Sequence, residues 1–298
     1  MRRVSRPCRA ALGSPCSCTL KTVSYLRDAF VDPEHARVSI LEPGYLVGDG
    51  VFATMRAYEG VCFRAARHVA SLERAAAAFG LELPPAFEQA IAIADEAAQR
   101  TLAEDAYVRV TLARGAAPTT TVLSVIARPM VLPSDHDYAR GVTTVTVTPR
   151  RIPPECLSPS IKSTSYAPQL LARREAERQG ATEGLQLALD GSLACGAMSN
   201  LFVMIGDALL TPPLETGCRA GVTREALLDL APKLFREVRE ERLPPSIFGS
   251  CDEAFLTSTR IECLPIARVD DVVIGTSFAR THALRSAFRE LVRREVSR

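Results

Sequence analysis

One lysine stands in an unusual setting. Lys162 lies in LSPSIKSTSY, a lone cation among hydroxyls and apolar side chains, just before a helix-like segment. Lysines are ordinarily solvated, so these neighbours mark Lys162 as a candidate buried or reactive amine. Farther along, between two apolar runs, comes the turn LDGSLACGAMSN with Cys195 at its centre. Other chemistry-bearing types are scattered. The nine cysteines form no CxxC pair, and Cys16 and Cys18 make only a CxC near the start of the chain. His35, His68, His136 and His282 show no metal-ligand spacing. The GDG at 48–50 is too short for a dinucleotide fingerprint, and no GxxxxGK phosphate loop exists.

Composition limits what these residues serve. The 298 residues are 47% apolar and 23% charged, which is globular and allows one large domain or two ordinary ones. The formal charge is +2, so no whole-protein basic field points to nucleic acid. The balance is uneven: Arg2, Arg3, Arg6, Arg9, Lys21 and Arg27 stand in a stretch without acids. Residues 1–22 are therefore expected to be an extension, either unstructured or of transit-peptide type. No run is long and apolar enough to span a membrane. Cysteines without disulfide arithmetic fit a reduced, cytoplasmic protein.

The positioning elements follow from periodicity. Residues 23–31 and 36–41 read as short strands, and GYLVGDGVFATMR as a turn feeding a strand through Tyr58. Val69, Leu72, Ala76 and Phe79 predict a helix stopped by Gly80. Pro84 and Pro85 open another, with Phe87, Ile91, Ala94 and Ala98 on its stripe. YVRVTLARG and TVLSVIARP alternate as strands. Residues 23–133 thus form a small N-terminal α/β domain, and the polar LPSDHDYARG marks a linker at 134–141. Residues 142–298 form a larger domain rich in strands. It contains VTTVTVTP, a helix over APQLLARREAERQG between Pro168 and Gly180, and the runs GLQLALD, LFVMIG and ALLTP. Thr223 is placed to cap a helix in GVTREALLDLA, EAFLTSTR and RVDDVVIG are further strands, and the tail from Ser277 is a final amphipathic helix.

Five stretches in order resemble one family: GYLVGDGVFATMR, AYVRVTLARG, IKSTSYAPQLLARREAERQGATEGLQLALDG, LLTPPLETGCRAGVTRE and DEAFLTSTR. From about Tyr25 onward the chain looks like the fold-type IV pyridoxal-phosphate enzymes, which include branched-chain aminotransferases, D-amino acid aminotransferases and aminodeoxychorismate lyases. The resemblance implies a two-domain α/β fold, a homodimer and pyridoxal 5'-phosphate as cofactor. Lys162 would form the Schiff base with the cofactor aldehyde and carry a proton during turnover, which requires its pKa to fall from about 10.4. Val222 and Thr223 at a helix start, with Ser258 and Thr259, would hold the phosphate. Tyr166 would lie against the cofactor. Tyr107 and Arg109 would recognise a substrate carboxylate, Arg114 matches a second carboxylate-binding arginine, and Phe52 would line the side-chain pocket.

Two positions depart from the family pattern. Cys195 stands where a glutamate would hold the pyridine nitrogen, and no acid lies between Asp190 and Asp207. Ser71 stands where an arginine would reach the phosphate, and Arg67 or Arg74, one turn away on the same helix face, could supply the charge. The expected activity is amino transfer between an α-amino acid, of branched-chain type, and a 2-oxo acid. The alternatives are an aminodeoxychorismate lyase and a pseudoenzyme with weak or no turnover.

Overall fold

The computed structural model describes residues 20–117 and 119–297. The expected extension at 1–22 falls, up to residue 19, outside the described residues. The first sheet is built from β1 (Val23–Leu26), β2 (Ala29–Val31), β3 (Gly50–Tyr58), β4 (Val61–Cys62), β5 (Asp105–Arg114) and β6 (Thr121–Pro129). All its pairs are antiparallel, in the order β2-β1-β6-β5-β3-β4. β5 shows why: Ala106, Val108, Val110 and Leu112 are buried on one face, while Tyr107, Arg109 and Thr111 share the other. A short helix, α1 (Pro43–Leu46), precedes β3. Two longer ones, α2 (Ala65–Ala78) and α3 (Ala90–Arg100), cover the apolar face through Leu72, Ala76, Ala94 and Ala97.

The second sheet follows α4 (Asp135–Arg140). Its strands are β7 (Val142–Thr146), β8 (Glu183–Leu187), β9 (Leu193–Gly196), β10 (Asn200–Ile205), β11 (Ala208–Thr211), β12 (Glu237–Glu240), β13 (Glu253–Ser258), β14 (Glu262–Val269) and β15 (Val272–Val273). The order is β12-β11-β10-β13-β14-β7-β8-β9, with β15 beside β14. β10 and β13 are apolar on both faces because both are covered. Leu201, Val203 and Leu256 pack on one side; Phe202, Met204 and Phe255 on the other. The second group meets α6 (Val222–Leu230) and α7 (Ala279–Val296) through Leu227, Leu284 and Phe288. Among the described residues, no helix is long and apolar enough to cross a membrane.

Parallel pairing positions Lys162. β7 and β8 run parallel, so the chain must cross over between them. That crossover carries the Lys162 loop and then α5 (Ala167–Arg178). The loop docks on the first sheet: Phe52 N–H donates to Lys162 C=O at 2.8 Å, and Thr164 N–H to Gly50 C=O at 2.8 Å. The two sheets are also joined through Glu262, 1% exposed, which accepts from Arg56 at 3.0 Å and from Arg285 and Arg289 at 2.8 Å each. Removing one member of a buried ion network leaves the others uncompensated, at about 3–5 kcal/mol. Glu262→Gln is therefore expected to lower the melting temperature by roughly 10 °C, measured by calorimetry. An unchanged melt would mean the network contributes nothing net.

Several local expectations are corrected. Residues 36–41 form no strand: they find no partner, and Ile40 and Leu41 are each 70% exposed. The helix after Pro84 begins as a 3-10 turn, Pro85–Gln89, which shifts the phase; Ile93 is buried and Ile91 faces outward. The segment expected as a linker is helical without ceasing to connect the two sheets: α4 is stopped at Gly141 and started by a capping box in which Ser134 and Asp137 exchange hydrogen bonds. Thr223 is not a cap. Gly221 holds that position without a side-chain acceptor, and Thr223 sits buried inside the first turn.

Candidate active site

A cavity lies where the Lys162 loop, β3, α2, the β9–β10 turn, the start of α6 and the end of β13 converge. Its volume is about 120 Å3. Lys162, Tyr166 and Phe52 line it together. Lys162 Nζ donates to the Tyr166 hydroxyl at 3.3 Å, and the Phe52 and Tyr166 rings meet edge-to-face with centroids 5.5 Å apart. Burial drives the Lys162 pKa down to about 7, and the charges of Arg219, Arg151 and Arg109 push the same way. The amine is thus half neutral at about pH 7 and nearly all neutral a unit or more above. Amine-directed labelling of Lys162, followed by mass spectrometry, is expected to rise with a midpoint near pH 7. A midpoint at the ordinary lysine value would show that the amine is solvated.

The two leading cations that act on Lys162 were not among the candidates. Arg151 and Arg219 both line the cavity. Arg151 Nε donates to Gly217 C=O at 2.7 Å, and Arg219 Nη1 to Pro159 C=O at 2.8 Å. Neither forms an ion pair with a carboxylate among the described residues. Gly217 permits this approach: its φ is +81°, and a Cβ there would lie 2.4 Å from Ile152 O. Burial, with Arg151 adding to it, lowers Arg219 to about 10. His68, facing this group, is held down to about 3 by burial and then by Arg219 and Lys162. The sequence signal was an arginine in the small-residue loop TGCRAG, not read as functional.

The cavity is also lined by hydroxyls and backbone donors. Val222 and Thr223 in the first turn of α6 line the cavity, as do Ser258 and Thr259. Thr257 Oγ1 beside them is buried and has no hydrogen-bond partner, and neither has Gln169 Oε1. Buried polar atoms are nearly always satisfied, so these mark a place built for a polar ligand. Cys195 also lines the cavity at 2% exposure, opposite Gln186 in the β8–β9 pair. Behind it, burial pushes Cys218 up to about 12, with Cys195 contributing. An acid does lie close by. Glu183 is buried under the β9–β10 turn, accepting from Ser199 Oγ at 3.0 Å and Met198 N–H at 3.3 Å. Burial raises its pKa. It comes from the preceding strand, so scanning Asp190–Asp207 could not find it.

Tyr107, Arg109, Arg114, Arg67 and Arg74 are not among the residues that line this cavity. Arg109 stacks on Phe52, with its guanidinium carbon 3.6 Å from the ring centre. Tyr107, two residues earlier on β5, shares its face and packs under Arg128. Arg114 is bound to Asp49 at 2.6 Å and to Phe79 C=O at 2.9 Å. Arg67 is 68% exposed, pairs with Glu225 at 3.4 Å and lines a neighbouring hollow with Arg74. Ser71 lines both spaces.

Comparison with known proteins decides the family. Residues 50–269 match the model of amino-transferase class IV. The chain belongs to the class IV aminotransferases. A Methanocaldococcus jannaschii protein, provisionally named a branched-chain amino-acid aminotransferase, is 32% identical over 84% of this chain and 89% of its own length. The Bacillus subtilis aminodeoxychorismate lyase is 28% identical over 90% of this chain and 94% of its own. The Escherichia coli branched-chain aminotransferase structure superposes with a TM-score of 0.85 at 25% identity, covering 91% of this chain and 94% of that one. Class IV aminotransferases use pyridoxal phosphate. In this member the unsatisfied Thr257 hydroxyl, the uncapped α6 start and the depressed Lys162 amine fit a phosphorylated aldehyde at both its ends.

Proposed function

We propose that this class IV aminotransferase moves an amino group between a branched-chain α-amino acid and a 2-oxo acid, with pyridoxal phosphate as cofactor. The carrying observation is the Lys162 amine, brought to about 7 inside a cavity that is also lined by hydroxyls and a helix start suited to a phosphate. When bound, the cofactor supplies an electron sink for the substrate carbanion. Lys162 Nζ would hold the cofactor aldehyde and, once the substrate amine has displaced it, would take the proton from the substrate α-carbon and deliver it to the cofactor. Tyr166 orients that amine through the 3.3 Å bond. The first turn of α6, through Val222 and Thr223, receives the phosphate together with Ser258 and Thr259. Phe52 shapes the side-chain pocket, with Arg109 and Tyr107 on the same sheet face for the substrate carboxylate. Arg114 is engaged with Asp49 and Phe79, which favours the branched-chain reading over the D-amino acid one.

The test is direct. The purified protein, incubated with pyridoxal phosphate and reduced with borohydride, should carry the cofactor on Lys162 and should convert 2-oxoglutarate to glutamate with a branched-chain donor. A protein that stays unlabelled sinks the reading. Formation of pyruvate and 4-aminobenzoate from aminodeoxychorismate would assign it to the lyases instead. Cys195 and Ser71 on the cavity wall favour a second reading, the same fold with weak or no turnover; labelling without any product would establish it.

A homodimer and a cytoplasmic setting belong to the same proposal. Val38, Ile40, Leu41, Tyr45, Leu46 and Val47 are each at least 50% exposed, an apolar stretch suited to cover by a second copy. A monomer in light scattering would exclude it. The six described free cysteines fit a reducing compartment.

A further inference from the structure

We propose that Arg219 supplies the guanidinium that holds the cofactor phosphate, in place of the arginine that the family pattern puts at Ser71. The inference rests on the cofactor reading above. Ser71 lines the cavity with only a hydroxyl. The arginines on its own helix do not fill the gap: Arg67 is exposed and paired with Glu225, and Arg67 and Arg74 line the adjoining hollow, not the cavity. Arg219 approaches from the other side. Its loop is pinned by Asn200 Nδ2, which donates to Arg219 C=O at 2.7 Å. Two residues later comes the Gly221 cap of α6, whose first-turn N–H groups have no side-chain acceptor.

The guanidinium and the helix start therefore belong to one short stretch of chain, of which Arg219, Gly221, Val222 and Thr223 line the cavity. Among the described residues, Arg219 gives one of its five N–H groups to a protein acceptor, Pro159 C=O, and has no carboxylate partner. Its charge is the leading one acting on His68, which sits one turn before Ser71 on α2, and His68, Ser71 and Arg219 line the same cavity. Thr257 Oγ1, buried and unsatisfied, adds a hydroxyl to the same space. Guanidinium, orphan amides and hydroxyls together make a site for a dianionic tetrahedral oxyanion. A bound dianion would also relieve the repulsion between Arg219 and Arg151.

Binding of pyridoxal phosphate and of pyridoxal, followed by absorbance titration, separates the phosphate from the aldehyde, because both attach at Lys162 and only one carries phosphate. Arg219→Leu is expected to weaken pyridoxal phosphate by about ten- to a hundredfold and pyridoxal by far less, the small common loss being what the raised Lys162 pKa costs both. Arg219→Lys, which keeps the charge, should lose less and serves if the leucine variant does not fold. Arg67→Ala with Arg74→Ala should change either affinity by less than about threefold. Equal losses for both ligands in Arg219→Leu, or no loss for either, would overturn the role of Arg219 while leaving the cofactor reading in place. Failure of the unaltered protein to bind either ligand would overturn both.

Discussion

Lys162→Ala is expected to cut amino transfer by on the order of 10^2–10^4 from lost proton transfer alone, and to abolish borohydride-trapped cofactor entirely. The argument is local. Lys162 is the lysine on the cavity wall, its amine is within 3.3 Å of the Tyr166 hydroxyl, and burial with three arginines holds it near 7. Histidine does not substitute: His68 lines the same cavity but is held to about 3, so it is a poor base. Lys162→Arg separates charge from nucleophilicity, because arginine stays protonated. It should be as inactive as alanine while retaining the fold, measured by steady-state transamination and circular dichroism. Substantial activity in either variant would remove Lys162 from the chemistry.

Cys195→Glu is expected to raise the rate by about ten- to a few-hundred-fold. A thiol is a weak hydrogen-bonding partner for a ring nitrogen, and a charge-assisted bond is worth roughly 1.5–3 kcal/mol, which converts to that range if it falls on the transition state. The surroundings would accept the new charge. Arg151, Arg219 and Lys162 face the same cavity, and neither arginine forms an ion pair among the described residues. The carboxylate should also draw the Lys162 pKa upward from about 7, shifting the pH–rate profile toward alkaline pH. Cys195→Gln controls for size, since it fills the space without charge. Equal gains from Glu and Gln, or no gain from Glu, would show that the missing carboxylate does not limit turnover.

Legibility differed between elements for physical reasons. β5 was readable because half-burial forces alternation, and YVRVTLARG alternates. The α2 helix was readable from its stripe and from Gly80, which adopts a positive φ at its end. The 36–41 segment misled because β-branched and leucine side chains there resemble a strand, yet pairing depends on a neighbour that local sequence does not contain. The polar 134–141 segment, expected as a linker, folds as a helix because Ser134 and Asp137 are helix-starting residues.

For the site, the chain's own order of motifs determined the family and marked Lys162 as the candidate amine and Cys195 as a departure from the family pattern. Each depends on residue identity within one short stretch. What surrounds the lysine was decided only by the tertiary structure. The crossover between β7 and β8 docks the Lys162 loop on β3, and the turn before α6 brings Arg219 beside it. Glu183 reaches the β9–β10 turn from the preceding strand in the same way. Burial and charge act through space and fall off with distance, not with sequence separation. The identity of the amine could therefore be read from IKSTSY, whereas its protonation near neutral pH had to await the fold.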